Sequence, residues 1–171
     1  MKQILTTIVV MALCCISAFA QKYAFVDTQY ILKNIPAYET ANEQIANLSK
    51  KYEDEIKAKM QEVANLYETY RTESVFLTTD MKVKKENEII EKEQAAKQLQ
   101  QKYFGQDGEL YKTQENLVKP IQEQVYNAIS SIAKEKNYNA VFDKSSMQGL
   151  MYADSSLDIS DQVLRKLGYI K

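Results

Sequence analysis

Between Pro36 and Pro120 the chain contains no proline, and its only glycines there are Gly105 and Gly108. Charged and amide residues dominate this stretch, and apolar residues recur at steps of three and four. On the outgoing limb these are Ala41, Ile45, Leu48, Tyr52, Ile56, Met60, Val63, Tyr67 and Tyr70. On the return limb Ile89, Ala96, Tyr103, Leu110 and Leu117 keep a heptad step, with Leu99 between. A narrow apolar seam on a polar rod is the pattern of coiled-coil pairing and not of a globular core helix. The spacing predicts one long helix, a reversal near Leu77-Thr78-Thr79-Asp80, and a second long helix returning alongside. Thr78 is placed to cap the return helix, and Asp80 falls in its first turn, where negative charge suits the helix dipole. Each limb of about forty residues would reach roughly 60 Å at 1.5 Å per residue. The run of four-residue steps from Leu48 to Met60 reads as a stutter that unwinds the supercoil locally.

The first twenty residues have the pattern of a leader. Lys2 supplies the positive end, Ile4 to Ile16 an apolar run, and Ala18-Phe19-Ala20 a small-x-small cleavage site before Gln21. The apolar run is short for a membrane span. Lipoprotein processing is the rival reading, and Leu13 before Cys14 and Cys14 before Cys15 do not suit it. A chain cut after Ala20 keeps no cysteine and, with no histidine anywhere, has neither a thiol nor an imidazole. That removes the Cys nucleophile, the His base and the usual His/Cys zinc site. Four glycines form no phosphate-cradling loop. A carboxylate pair of the glycosidase kind stays formally open, although the acidic residues fall mostly on solvated helix faces. The expectation is no catalysis, no cofactor and no metal.

What flanks the rod is small. Lys22 to Val26 reads as a strand, and Asp27 or Thr28 caps a short helix holding Tyr30, Ile31 and Leu32. Pro36 suits the first turn of the next helix. The return helix continues past Pro120 through Ile121, Val125, Ala128, Ile129 and Ile132, with Pro120 expected to bend it. Tyr138–Phe142 and Leu150–Ala153 are strand candidates joined by a turn at Gly149. A last helix begins at Ser160, its expected cap, and stops at Gly168. The domain organisation is therefore a leader at 1–20, a discontinuous association body at 21–37 and 120–171, and a helical hairpin arm at 38–119. Three short strands cannot bury a satisfactory core and leave open edges. Self-association through Ala24, Val26, Val141, Phe142, Met151 and Tyr152 is the expectation, and a closed ring would hide those edges.

Tyr23-Ala-Phe-Val-Asp27 leading into Tyr30-Ile-Leu32, the long hairpin, Tyr138-Asn-Ala-Val-Phe-Asp143 and Leu157-Asp-Ile-Ser-Asp161 together resemble the Skp/OmpH family of periplasmic chaperones. The resemblance covers the chain beyond the leader. It implies a mainly α fold with a small α+β body, a long antiparallel coiled-coil hairpin as a tentacle, and a jellyfish-like homotrimer. It further implies ATP-independent holding of unfolded outer-membrane proteins in a cavity between arms, in the periplasm, with peripheral proximity to a membrane and no nucleic acid. One departure is charge. The chain has 22 basic and 23 acidic residues, and loss of Lys2 with the leader leaves 21 against 23, net −2, too little for long-range attraction of anions. No lipopolysaccharide site is carried over.

Tyr52, Tyr67 and Tyr103 are expected to fill the seam, while Tyr70 and Tyr111 are candidates for gripping client, each an apolar ring with a polar tip. Gly105 and Gly108 each weaken a helix by up to about 1 kcal/mol relative to alanine. Together with Pro120 they are hinge candidates; the bland reading of the two glycines is close approach of the opposing helix near Lys50, or a local break. Lys82, Lys84 and Lys85 read as a solvated face partnered by Glu86 and Glu88. A structural or adaptor coiled coil of the cell envelope is the alternative to a holdase.

Overall fold

A computed structural model describes residues 22–170. The expected leader, Met1–Ala20, and its cleavage point lie outside the described residues. The chain divides into two compact units, one ending at Asn34 and resuming at Gln124, the other Ile35–Glu123.

The first unit is built on two short strands, β1 (Tyr23–Val26) and β2 (Ala140–Asp143). They pair in parallel with Tyr23 opposite Ala140 and Val26 opposite Asp143. Parallel neighbours need a long crossover, and here almost the whole chain serves as one. β1 is the inner strand, because on its other side Phe25 bridges to Asp158 and the Ile159 N–H donates to the Phe25 carbonyl at 2.9 Å. Ala24, Phe25 and Val26 are consequently buried within their own chain. Helix α1 (Thr28–Lys33) is capped by Asp27, whose carboxylate accepts from the Tyr30 N–H at 2.9 Å. The last helix, α5 (Ser160–Leu167), packs on α1, and Ile31, Ile159, Val163 and Leu164 are fully buried. Gly168 adopts φ +83°, and the Tyr169 N–H returns to the Leu164 carbonyl, a left-handed helix stop that a side chain would strain.

Two expectations for this unit are corrected. Leu150–Ala153 is not a strand: Met151 is 95% exposed and Tyr152 80%, with no ladder partner among the described residues. The apolar pattern there was real, but a strand exists only where another strand accepts its hydrogen bonds. Ser160 does not cap α5. It is buried as the first helical residue, its hydroxyl donating to Asp158 at 2.6 Å and accepting from the Asp27 N–H at 2.8 Å.

The second unit contains the hairpin. Helix α2 (Pro36–Glu73) starts with Pro36 in its first turn and runs 38 residues to a 3₁₀ turn at Ser74–Phe76. Helix α3 (Thr79–Phe104) follows, with Thr78 as its N-cap accepting from the Met81 N–H. Pairings between α2 and α3 are antiparallel: Tyr52 with Tyr103, Glu55 with Tyr103, Glu62 with Lys92, Tyr70 with Glu86. The buried seam comprises Ala41, Tyr52 and Val63 on α2 and Ile89, Ala96 and Tyr103 on α3. Met60 and Tyr67, both assigned to the seam by spacing, are exposed, and Leu66 is the half-buried residue one position before Tyr67. The run of fours through Met60 is therefore absent from the packing. Past the break at Gly105–Gly108 the return continues as α4 (Glu109–Lys136), a helix that is not interrupted at Pro120. Its buried positions are Val118, Ile121, Val125, Ala128 and Ile132. Leu117, on the heptad step from Tyr103, is only half-buried because the break shifts the phase by one residue.

Candidate functional site

Three features of the described residues are candidates for function, and each follows from how the local sequence folds. The first is a polar knot in the strand-bearing unit. Asp143 ends β2 and accepts four hydrogen bonds, from the Thr28 N–H (3.2 Å) and hydroxyl (2.7 Å) and from the Ser145 N–H (3.1 Å) and hydroxyl (2.7 Å). Burial pushes its carboxyl up, but these donors outweigh it and the net shift is downward. Asp158 behaves alike, holding Lys144 at 2.7 Å and Ser160, while Asp27 lies 3.8 Å from the same lysine. The aspartates of the three motifs, Asp27, Asp143 and Asp158, thus meet at one end of the sheet, where they tie chain ends remote in sequence. A cleft of about 370 Å³ lies beside Asp27 and Asp158, with Lys144 and Asp158 already engaged with each other. The sequence marks these residues as motif letters, yet their role as ties becomes visible only in three dimensions. Among the described residues no cluster of His, Cys, Asp or Glu is arranged to hold a metal ion.

The open edge of β2 and the segment after it form the second feature. Val141 is half-buried, Phe142 is exposed, and Met151 and Tyr152 project into solvent. Ala24 and Val26, grouped with them by sequence, are interior instead.

The third is the surface of the hairpin. Its tip presents Val75 at 76% and Phe76 at 87% exposure, with Met81 and Val83 close in sequence and also exposed. Periodicity missed the tip because a 3₁₀ turn between helices has no helical face to reveal. Farther along, Met60, Tyr67, Ile90, Phe104 and Tyr111 are exposed apolar side chains among charged and amide residues. Tyr111 is 53% exposed. Tyr70 is half-buried, its hydroxyl donating to Glu86 across the hairpin. Lys82 and Lys85 are half-buried on the α2-facing heptad positions, and neither they nor Lys84 form an ion pair among the described residues.

The glycine break sits against the aromatic seam. Tyr52 and Tyr103 stack with centroids 3.7 Å apart and planes 7° from parallel, and Phe104 meets Tyr52 edge-on. Tyr103 donates to Glu55 at 2.8 Å and Tyr52 to Glu109 at 2.9 Å. The Glu55 bond, then burial, push the Tyr103 phenol up to about 12. Burial, then the Glu109 bond, raise Tyr52. Glu109 is lowered by the Tyr52 hydroxyl and by Lys102. The close approach at the glycines is to the end of α3 itself and not to the opposing helix near Lys50. A Cβ at Gly105 would lie 2.3 Å from the Gln101 carbonyl oxygen, and one at Gly108 2.6 Å from that of Tyr103.

Comparison with known proteins places this arrangement. A protein-family model described as outer membrane protein (OmpH-like) matches residues 22–167. An uncharacterized protein of Aquifex aeolicus (strain VF5) is 28% identical over 150 residues, 88% of each chain. A crystal structure from Caulobacter crescentus CB15, described as an OmpH-like outer membrane chaperone, superposes with a TM-score of 0.67 at 12% identity. It covers 85% of this chain and 82% of the other, a likeness of fold.

Proposed function

The chain belongs to the OmpH-like family, whose members are periplasmic chaperones of outer-membrane proteins and not enzymes, and from that premise we propose that it is an ATP-independent holdase. The observation that carries the reading is the set of exposed apolar side chains standing on a charged hairpin: Phe76 and Val75 at the tip, then Tyr67, Ile90 and Tyr111. Single apolar side chains are ordinary on protein surfaces, whereas neighbouring ones mark places made for partners, so Val75, Phe76, Met81 and Val83 at the tip weigh most. Tyr67, Ile90 and Tyr111 would add weak contacts along an extended greasy chain. Each contact would contribute about 1 kcal/mol or less, and several acting together raise the effective concentration of every later one. Homotrimerisation, through the open edge of β2 and the exposed Met151-Tyr152 segment, would supply three hairpins per client. Gly105, Gly108 and Pro120 would let the hairpin adapt to clients of different size. Release needs no nucleotide when the grip is shallow and the folded client no longer offers apolar stretches.

The test is an aggregation assay. The protein, at one trimer per client and without ATP, should keep an urea-diluted β-barrel protein soluble and ignore the same protein once folded. No suppression of aggregation refutes the holdase reading, and tight binding of one folded partner alone would favour an envelope adaptor.

A further inference from the structure

Helices α3 and α4 are separated by four residues, Gly105–Gly108, whose backbone makes few bonds of its own: Gly105 N–H to Gln101, Gly108 N–H to Gly105, and Lys112 N–H to Gly108. Such a joint between two helices is free to swivel unless something outside it holds both sides. Tyr52, on the uninterrupted α2, touches both. Its ring lies flat on Tyr103, two residues before the break, and its hydroxyl donates to Glu109, the residue immediately after it. At 8% exposure it is shielded enough for both contacts to count. A second link, Lys102 to Glu109 at 3.3 Å, spans the same gap, but with both side chains largely in solvent it contributes little.

We propose that Tyr52 is a strap across the Gly105–Gly108 joint, fixing the end of α3 and the start of α4 to one position on α2, so that its hydroxyl bond to Glu109 sets how freely the joint opens. The glycines alone make the joint permissive. The tyrosine makes it a latch: the stack keeps the hairpin paired while the hydrogen bond, which is individually weak, can open and re-form. The latch acts on motion within the hairpin, whether or not the chain binds unfolded clients.

Amide hydrogen exchange on the full chain tests it. In Tyr52→Phe the ring and its stack remain and only the hydroxyl is lost, so peptides covering 101–112 should exchange about fivefold faster, the effect of losing one ordinary hydrogen bond. Peptides from 60–70 and 82–94, farther toward the tip, should exchange as in the parent. Glu109→Ala should accelerate the same 101–112 segment, and adding Tyr52→Phe to it should accelerate that segment no further. Unchanged exchange at 101–112 in Tyr52→Phe, equal acceleration along the whole hairpin, or additive effects in the double variant would each overturn the strap.

Discussion

Replacing Asp143 by alanine takes one side chain from the end of β2 and four hydrogen bonds from the body. Two of the lost donors are hydroxyls, Thr28 and Ser145, which can turn to water or to each other, since their oxygens already lie 3.0 Å apart. The other two are backbone N–H groups of Thr28 and Ser145, fixed in direction and partly buried. A bond to an ionised acceptor contributes about 1.5–3 kcal/mol when shielded. Taking the lower end for the two backbone donors, and almost nothing for the hydroxyls, Asp143→Ala should cost about 3 kcal/mol. For a chain of this size that corresponds to a fall in Tm of roughly 6–12 °C. Asp143→Asn keeps an oxygen for the backbone donors and should cost less than half as much. The carboxyl is held below its ordinary value in the fold, so its contribution is present above the unfolded pKa of about 3.9 and is lost as pH falls from there through the lower folded pKa. Thermal unfolding by circular dichroism, at one protein concentration and at pH 7 and pH 3.5, measures all three quantities. A Tm for Asp143→Ala within 2 °C of the parent at pH 7, or equal losses in the alanine and asparagine variants, would refute the assignment of Asp143 as the tie between β2 and α1.

Other expectations concern the hairpin and the end of the last helix. The raised phenols of Tyr52 and Tyr103 stabilise the fold in their protonated state, so their contribution is complete below about pH 10 and is lost at higher pH, for Tyr103 as pH rises through about 12. Helicity measured from pH 9 to 12 should fall across that window in the parent and less steeply in Tyr103→Phe. Val75→Asp with Phe76→Asp should leave stability within about 0.5 kcal/mol, because both side chains are in solvent. The same pair should weaken protection of an unfolded barrel protein severalfold in the aggregation assay, and full protection would remove the tip from the client surface. Gly168→Ala should cost about 1 kcal/mol in urea unfolding through its left-handed backbone alone, since nothing lies within 4 Å of the added methyl.

Much of this architecture is legible in the linear chain because it rests on local rules. The heptad steps, the proline-free run, Thr78 as cap and Gly168 as stop concern residues within a turn or two of each other, and there periodicity and backbone preference decide the outcome. The same rules placed β1 and the start of β2 within about two residues. They failed at Leu150–Ala153, at Met60 and Tyr67, and at the hairpin tip. A strand needs a partner that sequence does not name, and a seam residue needs a facing helix in the right phase. The tip's exposure comes from a turn with no period. Only tertiary structure could show that Asp27, Asp143 and Asp158, more than a hundred residues apart at the extremes, close one polar knot. The same holds for Tyr52, which reaches from a continuous helix to both sides of a break in its neighbour. Such contacts depend on where a chain returns in space, and local propensity carries no information about that return.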